Sequence, residues 1–360
     1  PSKFKEHYKL QISRIMTNHT NKQSPQSITE HDVYTLAKNS VGWRKHPIDI
    51  VEVRGNDRLD LLQRMTTNDV LALKGTDTGG TGAHNVLVTD KARIIDVFTV
   101  LARQESALLL FSSGMGEKAI QWLDKYTFID DFQAHNVSGE YTPFLIFGVR
   151  SMQFLEELTG ASLLDMRLSS WQKVTIQSNI NAVLVKQPPL CGFCYTLLVQ
   201  KAHETALSDI LSALEDVAEV DDSTFETLRI EAAWGKLGAE WTDERNPLEA
   251  GLVGLVDFKK GCYIGQEVIA RLDTYNKVKV RLSGFMSESP IPQNARFFDE
   301  SDRKRTDIGG VTSSTFSPEL GKHIALGYIR SAFANPDASV EASSEGYSEQ
   351  LTIVKLPFVM

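Results

Sequence analysis

Beyond Arg271 the chain changes texture. Up to that point strand-like runs alternate with amphipathic helical ones. After it come only short β runs, KVKVRLSGFMS, ARFFDE, IGGVTSSTF, HIALGYIRS and EQLTIVKLPF, broken by Gly, Pro and Ser. Short strands separated by turn residues close into small barrels or sandwiches. At 360 residues the chain exceeds what one hydrophobic core usually serves. The expected division is an N-terminal extension over 1–45, an α+β region over 46–272, and a small C-terminal barrel or sandwich over 273–360.

Within the α+β region, PIDIVEV reads as a strand. GNDRLDLLQRMTTNDV reads as a helix capped by Asn56 or Asp57, with Leu59, Leu62 and Met65 on one face. HNVLVTD, RIIDVFTVL and SALLLFS predict an antiparallel meander around the turn at Thr89–Ala92. Helical GEKAIQWLDKYTF and SMQFLEELTG then alternate with strands FLIFGV, QKVTIQ, NAVLVKQ and YTLLV. HETALSDILSALEDV and STFETLRIEAAWGKL supply two further helices. The fold class is α+β, with helices covering mixed or antiparallel sheets. The polar first 40 residues read as an extension or a surface-packed helical arm.

Hydrophobic residues make up 42% and charged residues 23%, the range of an ordinary globular protein. No apolar run nears the ~20 residues that span a bilayer, so no membrane partner is expected. A net charge of −8 argues against direct nucleic-acid binding, which needs many cations facing phosphates. Three cysteines, Cys191, Cys194 and Cys262, are too few and odd in number for a disulfide scaffold, and favour a reducing compartment. The expected location is the cytoplasm, or an organelle matrix if a targeting peptide has been removed.

One carboxylate sits on the wrong face. Strand periodicity in RIIDVFTV puts Asp96 with Ile94, Phe98 and Val100. A buried carboxylate is costly unless satisfied, so Asp96 needs a specific partner, unless a bulge turns it to solvent.

The densest chemistry lies in KKGCYIGQE. Lys259, Lys260 and the helix start expected at Gln266 and Glu267 could each favour a Cys262 thiolate. Equally, Cys262 could pack as a small hydrophobe in a glycine-shaped turn. Cys191 and Cys194 form a lone C-x-x-C, a redox pair or half a zinc site, or simply a turn entering a strand. KGTDTGGTG lacks the Gly-Lys-Ser/Thr ending of a P-loop, and His84 and His135 have no spaced partners; all three read as structural.

KGCYIGQE resembles the signature of the YgfZ-type folate-binding proteins, relatives of the glycine cleavage T-protein that act in iron–sulfur cluster assembly or maintenance. The resemblance continues through VRGNDRLDLLQRMTTNDV and LRIEAAWGKLGAE…NPLEAGL, covering the chain from about Pro47 onward. It implies a three-part ring, two intertwined subdomains of mixed or antiparallel sheet and helix over 46–272 with the C-terminal β-barrel over 273–360 as the third part, enclosing a site for tetrahydrofolate or a one-carbon derivative. It implies further that Cys262 is the functional thiol, with Lys260, Tyr263, Gln266 and Glu267 shaping the site, Asp96 engaging the folate near its reactive nitrogens, and Arg229 near the folate. On the residues alone, Arg229 and Glu231 could instead be surface helix charges worth under ~1 kcal/mol. Where T-proteins carry a pterin-binding glutamate, the nearest counterpart here is Cys194, and Ser113 stands at an asparagine.

Three functional readings follow from the resemblance. The first is a folate-binding accessory factor whose partners are iron–sulfur proteins or assembly factors. The alternative is a tetrahydrofolate-dependent aminomethyl or one-carbon transferase. A helper in tRNA modification, through iron–sulfur enzymes of that process, is a third.

Overall fold

The computed structural model describes residues 30–177, 179–299 and 305–359; the first part of the polar N-terminal arm lies outside them. Three β systems organise the chain: a seven-stranded sheet, a five-stranded sheet and a closed six-stranded barrel.

The expected meander forms the heart of the five-stranded sheet. Gly82–Val88, Ile94–Ala102 and Ser106–Ser112 run antiparallel in that order, followed by Ile48–Arg54 and Gln133–Asn136. One face carries Val51, Val53, Phe98, Val100 and Phe111 against the helices Arg58–Met65 and Gly116–Asp124. Phe98 stacks on Phe111 with centroids 4.5 Å apart. The helix from Arg58 stops at Met65, shorter than its apolar spacing suggested. Thr66 is extended and turns its hydroxyl back to the Leu62 carbonyl, 2.7 Å away, leaving Thr66–Val70 as a loop.

The second face packs onto the seven-stranded sheet. Ile50, Leu101, Leu108 and Leu110 meet Trp171, Val183, Val185 and Leu198, and the buried Trp171 indole donates to the Ala102 carbonyl at 2.8 Å. Burying the indole therefore costs no hydrogen bond. This sheet runs Val217–Glu219, Val41–Lys45, Tyr141–Gly148, Phe193–Gln200, Ile180–Gln187, Trp171–Ile176, Gly79–Gly80. Val41–Lys45, in the stretch assigned to the N-terminal extension, is an inner strand between Val217–Glu219 and Tyr141–Gly148. Glu30–Asn39 is a helix that buries Tyr34 and Ala37. Residues Val217–Glu219 correct the helical reading of HETALSDILSALEDV, whose helix covers only Glu204–Ser212.

Asp221 caps the next helix, Asp222–Glu231, accepting from the Thr224 N–H at 2.8 Å. The helix ends at Glu231 because Ala233 turns left-handed, with φ 56°, so AAWGKL leaves as a loop rather than continuing the helix. The barrel closes as Val280–Ser287, Lys322–Arg330, Asp307–Ser317, Arg296–Phe298, Ser339–Ser344 and Tyr347–Val354, the last pairing back to the first. Ser339–Ser344 was not visible in the sequence: it is mostly polar, and only Val340 and Ala342 alternate inward. No described helix is long and apolar enough to cross a membrane.

Candidate functional site

The three β systems surround a cavity of about 1340 Å³. Its walls come from the five-stranded sheet (Ile48, His84, Val97, Thr99, Leu110, Ser112), the seven-stranded sheet (Arg44, Leu145, Thr196), the helix and loop from Asp222 to Leu237, the segment Ala250–Leu255, and barrel-side Leu282, Leu356 and Pro357. The lining is mainly apolar with a few convergent polar groups, the make-up of a small-molecule site, and the volume exceeds the ~300–1,000 Å³ of most such pockets.

Arg229 is one of those polar groups and the best anchored. Only 3% of its side chain is exposed. Nε and Nη2 fork onto the Glu226 carboxylate, while Nη1 donates to Glu240 Oε2 at 3.1 Å and to the Trp234 carbonyl. Nη2 also donates to the barrel hydroxyl of Ser313 at 2.6 Å. The surface-pair alternative for Arg229 and Glu231 is therefore wrong. Glu231 faces elsewhere, accepting from Tyr34 and Ser317. The reason is geometric: Glu240 reaches Arg229 through the loop that follows the helix, a partner that helical spacing cannot reveal. Arg229 holds the Glu226 carboxyl below its ordinary value although burial pushes the other way.

Two imidazoles line the cavity, and burial lowers both to about 4, Arg44 adding to the effect on His46. They are neutral at pH 7. His84 Nδ1 shares a 2.6 Å hydrogen bond with Thr99. His46 packs against Phe225, and its buried Nδ1 has no partner. Sequence reading passed over His46 altogether; a histidine directly after a β-strand gives no periodic signal.

Asp96 is fully buried and found its partner in Ser112, whose N–H and Oγ donate at 2.8 and 2.7 Å; its own neighbour Val97 donates a third bond at 2.9 Å. A register shift does occur at the facing Leu87–Val88, yet it does not turn Asp96 to solvent. Asp96 is not itself in the cavity lining. Val97, Ser112 and Ser113 are, so the carboxylate sits directly behind the wall. Burial pushes its pKa up to about 6 from 3.8 despite those donors. Ionisation is thus disfavoured in the folded state: the cost is absent below the unfolded pKa, grows between about 4 and 6, and is complete above. Wild type should therefore gain about 2 kcal/mol over Asp96→Asn between pH 7.5 and 4.5 in urea unfolding; a pH-independent difference would contradict the buried charge.

The KGCYIGQE segment lies on neither the cavity nor Asp96. Among Lys260, Cys262, Tyr263, Gln266 and Glu267, none is a lining residue. Cys262 is exposed, which removes the alternative of a packed small hydrophobe. Lys260 does not turn to it: Nζ donates to the Thr66 and Asn68 carbonyls at 2.8 and 2.7 Å and lies over the Tyr263 ring. Burial lowers the Lys260 amine to about 8. Tyr263 is buried with Ala92, Leu248, Val256 and Ile269, and Gln266 and Glu267 open the helix Gln266–Thr274.

Gly265 makes that turn possible. It caps the helix at φ 78°, and a Cβ there would stand 2.7 Å from the Thr89 carbonyl oxygen. Gly265→Ala is expected to cost about 1–3 kcal/mol, seen as a lower urea midpoint at unchanged slope; an unchanged midpoint would mean the loop yields freely.

Cys191 and Cys194 are free thiols, and burial pushes Cys191 up to about 12 and raises Cys194 as well. Cys194, at the expected glutamate position, is a core residue beside Leu145 and Phe147, not a cavity group. Among the described residues no cluster of His, Cys, Asp or Glu could hold a metal ion.

Residues 8–260 match the family model of the GCVT N-terminal domain, and residues 281–359 match that of the glycine cleavage T-protein C-terminal barrel domain. An aminomethyltransferase of Chloroherpeton thalassium is 27% identical over 314 residues, covering 86% of this chain and 84% of that protein. One of a Geobacillus species is 28% identical over 315 residues, covering 85% and 83%. In three dimensions the chain resembles the glycine cleavage system aminomethyltransferase T of Bartonella henselae, with a TM-score of 0.80 at 19% identity, covering 92% of this chain and 90% of that one.

Proposed function

We propose, since this chain belongs to the glycine cleavage T-protein family, that its central cavity binds a reduced folate and that the protein acts as a folate-dependent transferase of one-carbon or aminomethyl groups. The observation that carries this reading is the cavity itself: it is large enough for a pterin with its side chain, apolar in its walls, and supplied with the partly exposed Glu226 carboxylate paired to buried Arg229 and the unpartnered Nδ1 of the neutral His46. A pterin edge offers adjacent donors and an acceptor, which a carboxylate, a neutral imidazole and serine hydroxyls can match. The donor set fits.

Bound tetrahydrofolate would supply the nitrogen that accepts the one-carbon unit. The residues of this chain do the rest. Glu226, held in place by Arg229, and His46 orient the ligand, and the apolar walls exclude water and strengthen each polar contact. Asp96, behind the wall, fixes Ser112 and holds or releases a proton near pH 6. The relatives' names support this transferase reading over the accessory-factor reading that the sequence favoured.

The YgfZ-type reading, a folate-binding accessory factor for iron–sulfur proteins, keeps one observation in its favour: the thiol of KGCYIGQE is exposed and separate from the cavity. A turnover assay distinguishes the two. Consumption of tetrahydrofolate with an aminomethyl donor, undiminished in Cys262→Ala, is the transferase result. Folate binding without turnover would favour the accessory role.

A further inference from the structure

A second cleft, of about 300 Å³, opens on the outside of the barrel and shares no lining residue with the central cavity. Cross-strand register builds it. Arg296 pairs with Gly310 on the neighbouring strand, and Gly310 pairs with Tyr328 on the next. Side chains in such a row share one face. Gly310 has no side chain, and a Cβ there would stand 2.5 Å from Arg296 Nη1, so the guanidinium lies across the vacancy toward Tyr328. Arg330, two residues beyond Tyr328, points to the same side. From the loop before the barrel, Arg245 lays its guanidinium over the Tyr328 ring at 4.2 Å.

The charge does not balance. Three guanidinium groups, Arg245, Arg296 and Arg330, line the cleft against one carboxylate, Asp307. Asp307 is committed to Arg296, accepting from Nε and Nη2 at 3.0 Å each. Among the described residues Arg245 and Arg330 have no carboxylate partner. The Tyr328 hydroxyl donates inward to the Glu240 carbonyl at 2.6 Å, which fixes the ring as a floor. In a chain of net charge −8, such a pre-formed cationic cleft is not explained by overall composition.

We propose that this cleft binds a small multiply charged anion, a phosphate or polycarboxylate group, gripped by Arg245 and Arg330 above the Tyr328 ring with Arg296 held in place by Asp307. Planar guanidinium forks suit both oxyanion types. The site would serve a ligand, or the anionic part of one, distinct from whatever occupies the central cavity.

Calorimetric titration of the full-length protein at low ionic strength, with pyrophosphate in one series and citrate in another, tests this. One site per chain is expected, with affinity weakened about tenfold or more by Arg330→Glu and likewise by Arg245→Gln. Arg54→Gln, a remote exposed arginine, should leave it unchanged. Tighter pyrophosphate assigns a phosphate ligand, and tighter citrate a polycarboxylate. Absence of binding by both anions, wild-type affinity in both cleft variants, or an equal loss in Arg54→Gln would overturn the site.

Discussion

Arg229→Ala is expected to lower the unfolding free energy by about 3–5 kcal/mol, the range for removing one partner of a buried ion pair. Glu240, fully buried, would keep its bonds from the Lys236 N–H and the Thr312 and Ser313 hydroxyls but lose its only cation among the described residues. Glu226 would lose a fork of two donors in the same step. The barrel would also lose a tether, because Ser313 lies on the barrel strand Asp307–Ser317. Arg229→Lys restores the charge without the fork, so partial rescue is expected. Urea unfolding of the three proteins checks this; a loss below about 1 kcal/mol in Arg229→Ala would put the pair in the class of solvent-screened surface bridges.

Asp96→Asn is expected to weaken tetrahydrofolate binding by about tenfold to a hundredfold. The carboxylate accepts all three of its hydrogen bonds, two of them from Ser112 in the cavity wall. An asparagine can present only one acceptor oxygen, so its amide nitrogen must meet a donor, and an unsatisfied buried donor costs about 1–3 kcal/mol. The wall then rearranges where the ligand docks. Affinity equal to wild type would remove Asp96 from recognition and leave it a structural acid.

Much of this was legible from local pattern. RIIDVFTV identified both the strand and the buried carboxylate, because period-2 alternation and the cost of burying charge are properties of a few adjacent residues. Short runs and their turn residues announced a barrel or a sandwich, the family resemblance chose the barrel, and KGCYIGQE, with the stretches around Arg58 and Arg229, pointed to the wider glycine cleavage T-protein family. What stayed hidden depends on long-range closure. Val41–Lys45 is too short to read as a strand, and gains its place from neighbours about a hundred and more residues away. Arg229 found Glu240 and Ser313 through a loop and another β system. His46, Phe225 and Pro357 meet at one cavity from three parts of the chain. The motif around Cys262 was the clearest signal in the sequence, yet its side chains lie outside the cavity, because motif strength reports a local turn and not which surface that turn faces.

The central claim is that the cavity, and not the exposed thiol, receives the folate. Anaerobic calorimetric titration of tetrahydrofolate into wild type and Cys262→Ala tests it most directly. The account predicts one site per chain with the same affinity in both proteins. Absence of binding to wild type, or binding abolished by Cys262→Ala, would contradict it.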